Sequence, residues 1–233
     1  LQVGIRNFHN TSYYIEQYIL TIKNYNFEKL DYQVKIRVDN LISFLSKHIA
    51  YVQFLWKSLQ HKKLDRNIIH GDPKLNNFLF DAQSKYVVSL IDLDTISTGY
   101  LLTDLADCLR SICNLAGEEP IDKEEVCFDI DICKNFLRGY FSINKADINS
   151  TFRFLPEFIY LIIFELTIRF LTDFLQSNKY FKIKYETHNL YRTEVQYRLL
   201  SSFINQLPNL SDELEEIGIF PNSAFVLDVQ KFV

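Results

Sequence analysis

Two carboxylates and an amide in the first half of the chain have the types and spacing needed for phosphoryl transfer. Asp72 and Asn77 lie in the run HGDPKLNN, which begins at residue 70, and Asp92 lies in the run IDLD further on. Phosphoryl transfer needs a carboxylate to accept the proton of the attacking hydroxyl, and hard oxygen ligands for Mg²⁺ beside the phosphates of ATP. We therefore predict Asp72 as the catalytic base, and Asn77 and Asp92 as the ligands of Mg²⁺.

The first run also has a simpler interpretation. Asp, Pro and Asn are common in turns, so HGDPKLNN taken alone is equally compatible with an ordinary loop. The second run, IDLD, follows an apolar stretch at the spacing of a β-hairpin. The two runs together favour a kinase site over a plain loop.

A short hairpin would bring the predicted site residues together. Residues 78–80 and 86–91 favour strands, and residues 81–85 between them favour a turn. The loop from residue 70 precedes the first strand, and Asp92 ends the second. Closing the hairpin would therefore place the loop and Asp92 at one cleft.

The remainder of the chain is predicted to be helical, because apolar residues recur at three- and four-residue steps. The predicted helices span residues 32–61, 103–114, 122–141, 156–176 and 189–206, with Thr103 as an N-cap and the last helix ending before Pro208. The fold class is therefore mainly α (α+β), in which a small β hairpin carries the catalytic loop.

Composition excludes several other classes of function. The net charge is −4 and Lys and Arg are spread along the chain, which does not favour a nucleic-acid partner. The four cysteines have no zinc-type spacing. Residues 158–164 are the most apolar stretch and are too few to cross a membrane, and residues 1–10 lack the apolar core of a signal peptide. We predict a soluble, cytoplasmic protein without a membrane partner.

The two runs resemble the catalytic loop and metal-binding strand of the aminoglycoside phosphotransferase and choline kinase superfamily, the small-molecule relatives of protein kinases. More narrowly, they are similar to those of the N-acetylhexosamine 1-kinases, in which a Gly, an acidic helix start and an Arg follow. This chain has Gly99, Asp104-Leu105-Ala106-Asp107 and Arg110 in that order. The resemblance implies the C-terminal lobe of a protein-kinase-like fold, with ATP as donor, Mg²⁺ as cofactor and a sugar or related alcohol as acceptor.

A third block, RFLTDFL from Arg169 followed by YFK from Tyr180 and then HNLYR, resembles the same sugar kinases. The resemblance implies that Arg169 and Tyr180 contact the sugar. It implies the same for Asn10, although the family has Asp at that position, and an amide cannot act as a charged acceptor. From the residues alone, Arg169 has another interpretation, an ion pair with Glu165 or Asp173 one turn away.

Four further residues are predicted to support the site. His70 is expected to brace the loop through the backbone rather than act as an acid or base. Lys74 either balances negative charge at the transferring phosphate or is simply solvated. Asp94 is a second metal ligand or a partner for the loop, and it ranks below Asp92 because a strand would place both on one face with one further away. Asp104 is expected to cap its helix or brace the catalytic loop.

A kinase also needs a glycine-rich loop and a lysine over the nucleotide phosphates, and neither pattern precedes the catalytic loop. The chain begins with Leu1 and contains no Met. We therefore expect residues 1–30 to be a connector from a missing N-terminal lobe and residues 31–233 to be the C-terminal catalytic lobe. By itself the chain is expected to be inactive or weakly active.

The predicted reaction is ATP-dependent transfer of the γ-phosphoryl group to a small-molecule hydroxyl, the anomeric hydroxyl of an N-acetylhexosamine-like sugar. Two alternatives stay open. One is an aminoglycoside or amino-alcohol (choline-like) kinase, and the other is a non-catalytic binding module derived from the same fold. The sequence predicts no oligomeric state.

Overall fold

The computed structural model describes residues 7–143 and 151–232 of the chain. Most of these residues are helical, and two small antiparallel sheets lie among the helices. The helices are α1 (Thr11–Asn24), α2 (Tyr32–Gln60), α3 (Leu101–Ile112), α4 (Ile130–Ile143), α5 (Leu155–Leu175), α6 (His188–Glu216) and α7 (Ser223–Val229). The strands are β1 (Arg66–Ile69), β2 (Phe78–Phe80), β3 (Val87–Leu90) and β4 (Ser97–Tyr100). The predicted class, mainly α with a small β component, is confirmed.

The two sheets frame the catalytic loop. β2 and β3 form the predicted hairpin, with Phe78 opposite Leu90. β1 pairs antiparallel with β4, with Asn67 opposite Gly99, and this pair is not among the predicted elements. Its strands are four residues long and far apart in sequence, so no local turn signal connects them. Together the pairs hold residues 70–77 and 91–96 side by side.

Helix α5 lies at the centre of the molecule. Nearly all of its residues are buried, and it packs against α6, α3 and α1. A helix with apolar residues on every side must be surrounded by other elements. The packing of α5 against three helices agrees with this expectation. α1 contributes Ile15 and Tyr18 to the same core. The connector predicted for residues 1–30 therefore contains a packed helix, while its residues 1–6 lie outside the described part of the chain.

Two predicted helix starts differ from the structure. α3 begins at Leu101, directly after β4, so Thr103 is not its N-cap and lies buried inside the first turn. The helix predicted for residues 122–141 begins only at Ile130. Asp122 instead caps a short 3-10 turn, Lys123–Glu125, by accepting the amide of Glu124 at 2.8 Å. Local capping by Asp122 thus produces a separate turn rather than the start of α4.

Helix α6 continues past Pro208, so its predicted end before this residue is wrong. Proline has no amide hydrogen to donate to the carbonyl four residues earlier, which is that of Ile204. The side-chain amide of Gln230 donates to the Ile204 carbonyl instead. A contact from the far C-terminal segment therefore replaces the hydrogen bond that Pro208 removes.

Residues 158–164 lie within α5, where other helices bury them. No helix in the described ranges is both long enough and apolar enough to cross a membrane. The apolar stretch of residues 158–164 thus forms the centre of the globule. The four cysteines, Cys108, Cys113, Cys127 and Cys133, are free thiols.

Candidate active site

The backbone of the catalytic loop, residues 70–77, is held by α3 and by the turn after β3. The carboxylate of Asp104 accepts the amide of His70 at 2.6 Å and the amide of Gly71 at 2.8 Å. The hydroxyl of Thr95 donates to the His70 carbonyl at 2.7 Å. Burial raises the pKa of Asp104, whereas the two amides act in the opposite direction. Asp104 thus braces the loop, and its side chain does not cap α3.

His70 connects the catalytic loop to the segment that carries Asp92. Its Nδ1 accepts the amide of Asp72 at 3.2 Å, and its Nε2 lies 2.9 Å from the carbonyl oxygen of Ile91. Because Nδ1 accepts a hydrogen bond, the ring proton must be on Nε2, which donates to Ile91. Both ring nitrogens are thus engaged with the backbone, and neither is free to transfer a proton to a substrate.

Asp72 lies within a small network of charged and amide groups. Its Oδ2 accepts Lys74 Nζ at 2.6 Å and Asn77 Nδ2 at 3.3 Å. Asn77 Nδ2 also donates to the Asp72 carbonyl at 2.7 Å. Burial is the largest single influence on the pKa of Lys74 and would lower it, but the hydrogen bond to Asp72 and the negative charges of Asp72, Glu118 and Asp107 together raise it. Lys74 is therefore paired with Asp72 and is not simply solvated.

Asp92 follows β3 in an unusual backbone conformation. The strand ends at Leu90, and Asp92 has φ of +66°, in the left-handed region. The next residues form a short 3-10 turn, Leu93–Thr95, that contains Asp94. The predicted strand geometry, in which Asp92 and Asp94 share one face, is therefore wrong. A non-glycine residue in this region costs about 1 kcal/mol or more, and such residues cluster at functional sites.

The predicted site residues from both halves of the chain meet in one cleft of about 500 Å³. Asp72, Asp92 and Asp94 line it from the catalytic loop and the turn after β3, and Arg169 and Tyr180 line it from α5 and the segment that follows. Asn77 is only 5% exposed and lies behind Asp72. The cleft is large enough for a small-molecule acceptor beside a phosphate group.

The donor set at the cleft fits Mg²⁺. The carboxylates of Asp92 and Asp94 and the amide oxygen of Asn77 accept no hydrogen bond within residues 7–143 and 151–232. The Ile91 amide donates to the Asn77 carbonyl at 2.9 Å, which keeps the segment carrying Asp92 beside Asn77. Among the described residues, no three His, Cys, Asp or Glu side chains form a metal site by themselves. Mg²⁺ in kinases is held by one or two protein carboxylates together with phosphate oxygens, so two carboxylates and an amide suffice.

Arg169 lies between aromatic rings at the wall of the cleft. Its guanidinium carbon is 4.7 Å from the ring centre of Tyr14, and the rings of Phe8, Tyr180 and Phe181 lie within 6 Å. The ion pair with Glu165 exists but is long, at 3.8 Å. Burial against aromatic faces stabilises the cation without using its N–H groups. The Arg169 N–H groups make no hydrogen bond among the described residues, and the residue lines the cleft, so these donors are available to a ligand there.

Asp173 holds the segment that carries Tyr180 and does not pair with Arg169. Its two oxygens accept the amides of Tyr180 at 2.8 Å and Phe181 at 3.0 Å, and Asn189 Nδ2 donates to it at 2.9 Å. Tyr180 is 61% exposed. It lines the cleft, with its ring centre 5.9 Å from the guanidinium carbon of Arg169, while its backbone is anchored from α5.

Asn10 is the one predicted sugar contact that does not line this cleft. Its side chain caps α1 by accepting the Tyr13 amide at 3.2 Å, and it lines a separate cavity. The preceding residue, His9, lines the cleft instead, together with Glu165. Neither His9 nor Glu165 is among the predicted site residues. A signal for Glu165 does exist, since a carboxylate within a run of apolar residues needs a partner.

A short acidic loop after α3 contains Glu118 and Glu119, and Glu118 lines the cleft. Glu118 and Asp107 pair with Arg110, which is buried, at 3.0 Å and 2.7 Å. Glu119 pairs with Arg192 of α6 and with Lys184. Burial would raise the pKa of Glu119, but these cations lower it to about 2. The loop thus connects α3 to the segment between Tyr180 and α6.

A protein-family model matches the part of the chain that carries the catalytic loop. The model described as "Phosphotransferase enzyme family" (APH) matches residues 8–125. The matched region contains the loop of Asp72 and Asn77 and the turn of Asp92, and it includes Asp104. Because the match covers half of the chain, the family is established. The chain belongs to the APH phosphotransferase enzyme family.

Proposed function

We propose that this chain carries the catalytic residues of an ATP-dependent phosphotransferase that phosphorylates the anomeric hydroxyl of an N-acetylhexosamine-like sugar. Membership of the APH family supports the phosphotransferase part. The observation that carries the proposal is that Asp72 and Asp92 line the same cleft as Arg169 and Tyr180. In this proposal the helices form the larger lobe of a kinase-like fold.

Asp72 acts as the base in this reaction. Its carboxylate receives the proton of the acceptor hydroxyl while the hydroxyl oxygen bonds to the γ-phosphorus of ATP, and the bond from that phosphorus to the β,γ-bridging oxygen breaks to release ADP. Asn77 orients Asp72 through two hydrogen bonds from one amide group. Lys74, 2.6 Å from Asp72, offsets the negative charge that carboxylate and phosphate bring together.

Asp92 and the amide oxygen of Asn77 would hold Mg²⁺, with Asp94 as a further candidate ligand. The bound ion would offset the charge of the triphosphate. Asp92 and Asp94 accept no hydrogen bond within the described ranges, so their oxygens are free for this role.

Arg169 and Tyr180 recognise the acceptor. A guanidinium with free N–H donors suits the hydroxyl groups and the acyl oxygen of an N-acetylated sugar, and an exposed aromatic ring suits the apolar face of a pyranose. Asn10 caps α1, so the sugar proposal depends on Arg169 and Tyr180.

An acceptor with a positive charge is the second candidate. Asp92, Asp94 and Glu165 line the cleft together with the base. The carboxylates of Asp92 and Asp94 have no ionic partner among the described residues and attract cations, so an aminoglycoside or an amino alcohol would also be stabilised there. ATP consumption measured with N-acetylhexosamines, aminoglycosides and amino alcohols separates these acceptors by kcat/KM.

The test of the proposed chemistry is Asp72→Asn in the full-length protein. We expect kcat to fall by about three orders of magnitude or more while acceptor affinity, measured by calorimetry, changes little. Asp65→Asn, an exposed carboxylate just before β1, is the matched control and should leave kcat unchanged. Near-normal turnover of Asp72→Asn would contradict the assignment. Acceptor binding without ATP consumption by the unmodified protein would favour the non-catalytic module.

A further inference from the structure

Two histidines hold opposite ends of the peptide unit that carries the base. The Gly71 carbonyl lies 2.5 Å from Nε2 of His9, and the Asp72 amide donates to Nδ1 of His70 at 3.2 Å. A carbonyl only accepts hydrogen bonds, so Nε2 of His9 must carry a proton and donate it. With both polar groups bound, rotation of this peptide unit is restricted, and the position of the Asp72 Cα atom is restricted with it.

The other ring nitrogen of His9 approaches Glu165. His9 Nδ1 is buried, makes no hydrogen bond among the described residues and lies 3.6 Å from Oε1 of Glu165. Glu165 is 1% exposed, accepts the Thr11 hydroxyl at 2.9 Å and lies 3.8 Å from Arg169. A buried carboxylate requires positive or hydrogen-bonding partners. Contacts thus run continuously from Arg169 through Glu165 and His9 to the Gly71 carbonyl.

The backbone around His9 is itself in a costly conformation. His9 has φ of +55° and Asn7 has φ of +62°, and the amide of Asn10 closes the turn on the Asn7 carbonyl at 3.0 Å. Left-handed conformations at non-glycine residues cost about 1 kcal/mol or more each and persist where the surroundings require them. The turn places the His9 ring against a loop more than 60 residues later in the chain.

We propose that His9 is a positioning residue for phosphoryl transfer, which fixes the peptide of the base through the Gly71 carbonyl and connects that peptide to Arg169 through Glu165. The inference rests on the proposed function, because it takes Asp72 as the base. His9 does not touch the reacting atoms in this scheme. The contact of Glu165 with His9 is consistent with the raised pKa of His9, which burial alone would lower.

Three substitutions separate positioning from general stability. His9→Gln keeps an N–H donor near the position of Nε2, which can reach the Gly71 carbonyl. His9→Asn places its amide near the position of Nδ1, which faces Glu165, and His9→Ala removes both groups. If His9 positions the base, Gln restores turnover and Asn does not. If His9 only stabilises the fold, the loss of turnover follows the melting temperature in all three variants.

The experiment measures kcat, acceptor KM and melting temperature of the full-length protein. We expect His9→Ala and His9→Asn to lower kcat about 10- to 100-fold with acceptor KM within about threefold, and His9→Gln to lower kcat only a few-fold. The combination of His9→Ala with Glu165→Gln should lower kcat by less than the product of the single effects, because both act through one contact chain. Unchanged kcat in His9→Ala, or equal losses that follow the melting temperature, would overturn the proposal.

A second measurement does not depend on turnover. Hydrogen–deuterium exchange of a peptide covering residues 70–76 should speed up in His9→Ala and His9→Asn but not in His9→Gln, while exchange in α6 stays unchanged. Identical exchange of this peptide in all variants would refute the positioning role. If the unmodified protein shows no phosphotransfer but the exchange pattern holds, the proposed function fails while the contact of His9 with the loop stands.

Discussion

Gly71 and Thr95 approach each other so closely that a side chain at residue 71 would collide with the turn after β3. A Cβ atom on Gly71 would lie 2.7 Å from the Thr95 carbonyl oxygen, and Gly71 has φ of +90°. The distance of 2.7 Å is shorter than a van der Waals contact between carbon and oxygen. Residues other than glycine adopt a φ of +90° only at an energetic cost. The loop of the proposed base and the turn that carries the proposed metal ligand are therefore complementary in shape.

Gly71→Ala should both destabilise the protein and reduce turnover. The strained φ and the collision with Thr95 together should lower the free energy of unfolding by about 2 kcal/mol or more, and displacement of Asp72 should lower kcat about 100-fold. Gly139→Ala is the matched control, because a Cβ atom there meets no atom within 4 Å and the residue lies inside α4. That change should stabilise the protein by about 0.5–1 kcal/mol. Denaturant unfolding and steady-state kinetics check both, and equal effects of the two changes would contradict the fit between loop and turn.

Asp92→Asn should raise the Mg²⁺ concentration needed for activity. Asn tolerates the left-handed conformation of Asp92, so the change removes the charge while keeping the backbone. We expect the half-saturating Mg²⁺ concentration to rise about tenfold or more, with a smaller rise for Asp94→Asn. Activity is titrated with Mg²⁺ at fixed ATP, and the stabilisation of the protein by Mg²⁺ with a nonhydrolysable ATP analogue is followed by melting temperature. A larger effect of Asp94→Asn would reverse the order of the two ligands.

Gln230→Ala should destabilise the protein by about 1–2 kcal/mol, because it leaves the buried Ile204 carbonyl without a donor. In a Pro208→Ala background the helix regains an amide that donates to Ile204, so the same change should cost less. The expected coupling is about 1 kcal/mol in urea unfolding. Lys231→Ala, which removes only an exposed ion pair with Asp228, serves as the control and should cost about 0.5 kcal/mol or less. Additive effects at 208 and 230 would refute this account of the long helix.

Glu157 should make the protein less stable as the pH rises towards neutrality. Its carboxylate lies buried in the first turn of α5, and neither oxygen has a hydrogen-bond partner among the described residues. Burial raises the pKa of Glu157 from 4.5 to about 7, so the folded chain binds the proton more tightly than the unfolded chain. The resulting stability is complete below pH 4.5 and is lost as the pH rises through 7.

The lost stability is on the order of 3 kcal/mol, since each unit of pKa shift corresponds to about 1.4 kcal/mol. Glu157→Gln should remove this pH dependence when the free energy of unfolding is measured between pH 5 and pH 8. Glu16→Gln, at an exposed position of α1, is the control and should leave it in place. An unaltered pH profile in Glu157→Gln would show that another group is responsible.

The residues of the catalytic loop were predictable because their chemistry is carried by local spacing. A hairpin of two short strands brings the loop at Asp72 to the turn at Asp92, and both the strands and the turn between them have local sequence signals. The position of α2 followed in the same way from the apolar period. These features depend on neighbours in the chain.

The features that could not be predicted depend on contacts between distant segments. The extension of α6 past Pro208 requires Gln230, and the β1–β4 pair requires two strands without a connecting turn. The approach of His9 to Gly71 depends on a strained turn that has no sequence signature. The role of Asn10 as a helix cap was missed for a different reason, because no helix was predicted to begin at residue 11.

Asp173 fixes the backbone of the segment that carries Tyr180 without contacting the Tyr180 side chain through a hydrogen bond. Asp173 holds this segment through the backbone amides of Tyr180 and Phe181, so the segment keeps its path whichever side chain stands at position 180. In the proposed function Tyr180 contacts the acceptor, so substitutions at this position should change which molecule is accepted while the backbone path of the segment is kept. Position 180 is therefore the first site to vary when a new acceptor is sought.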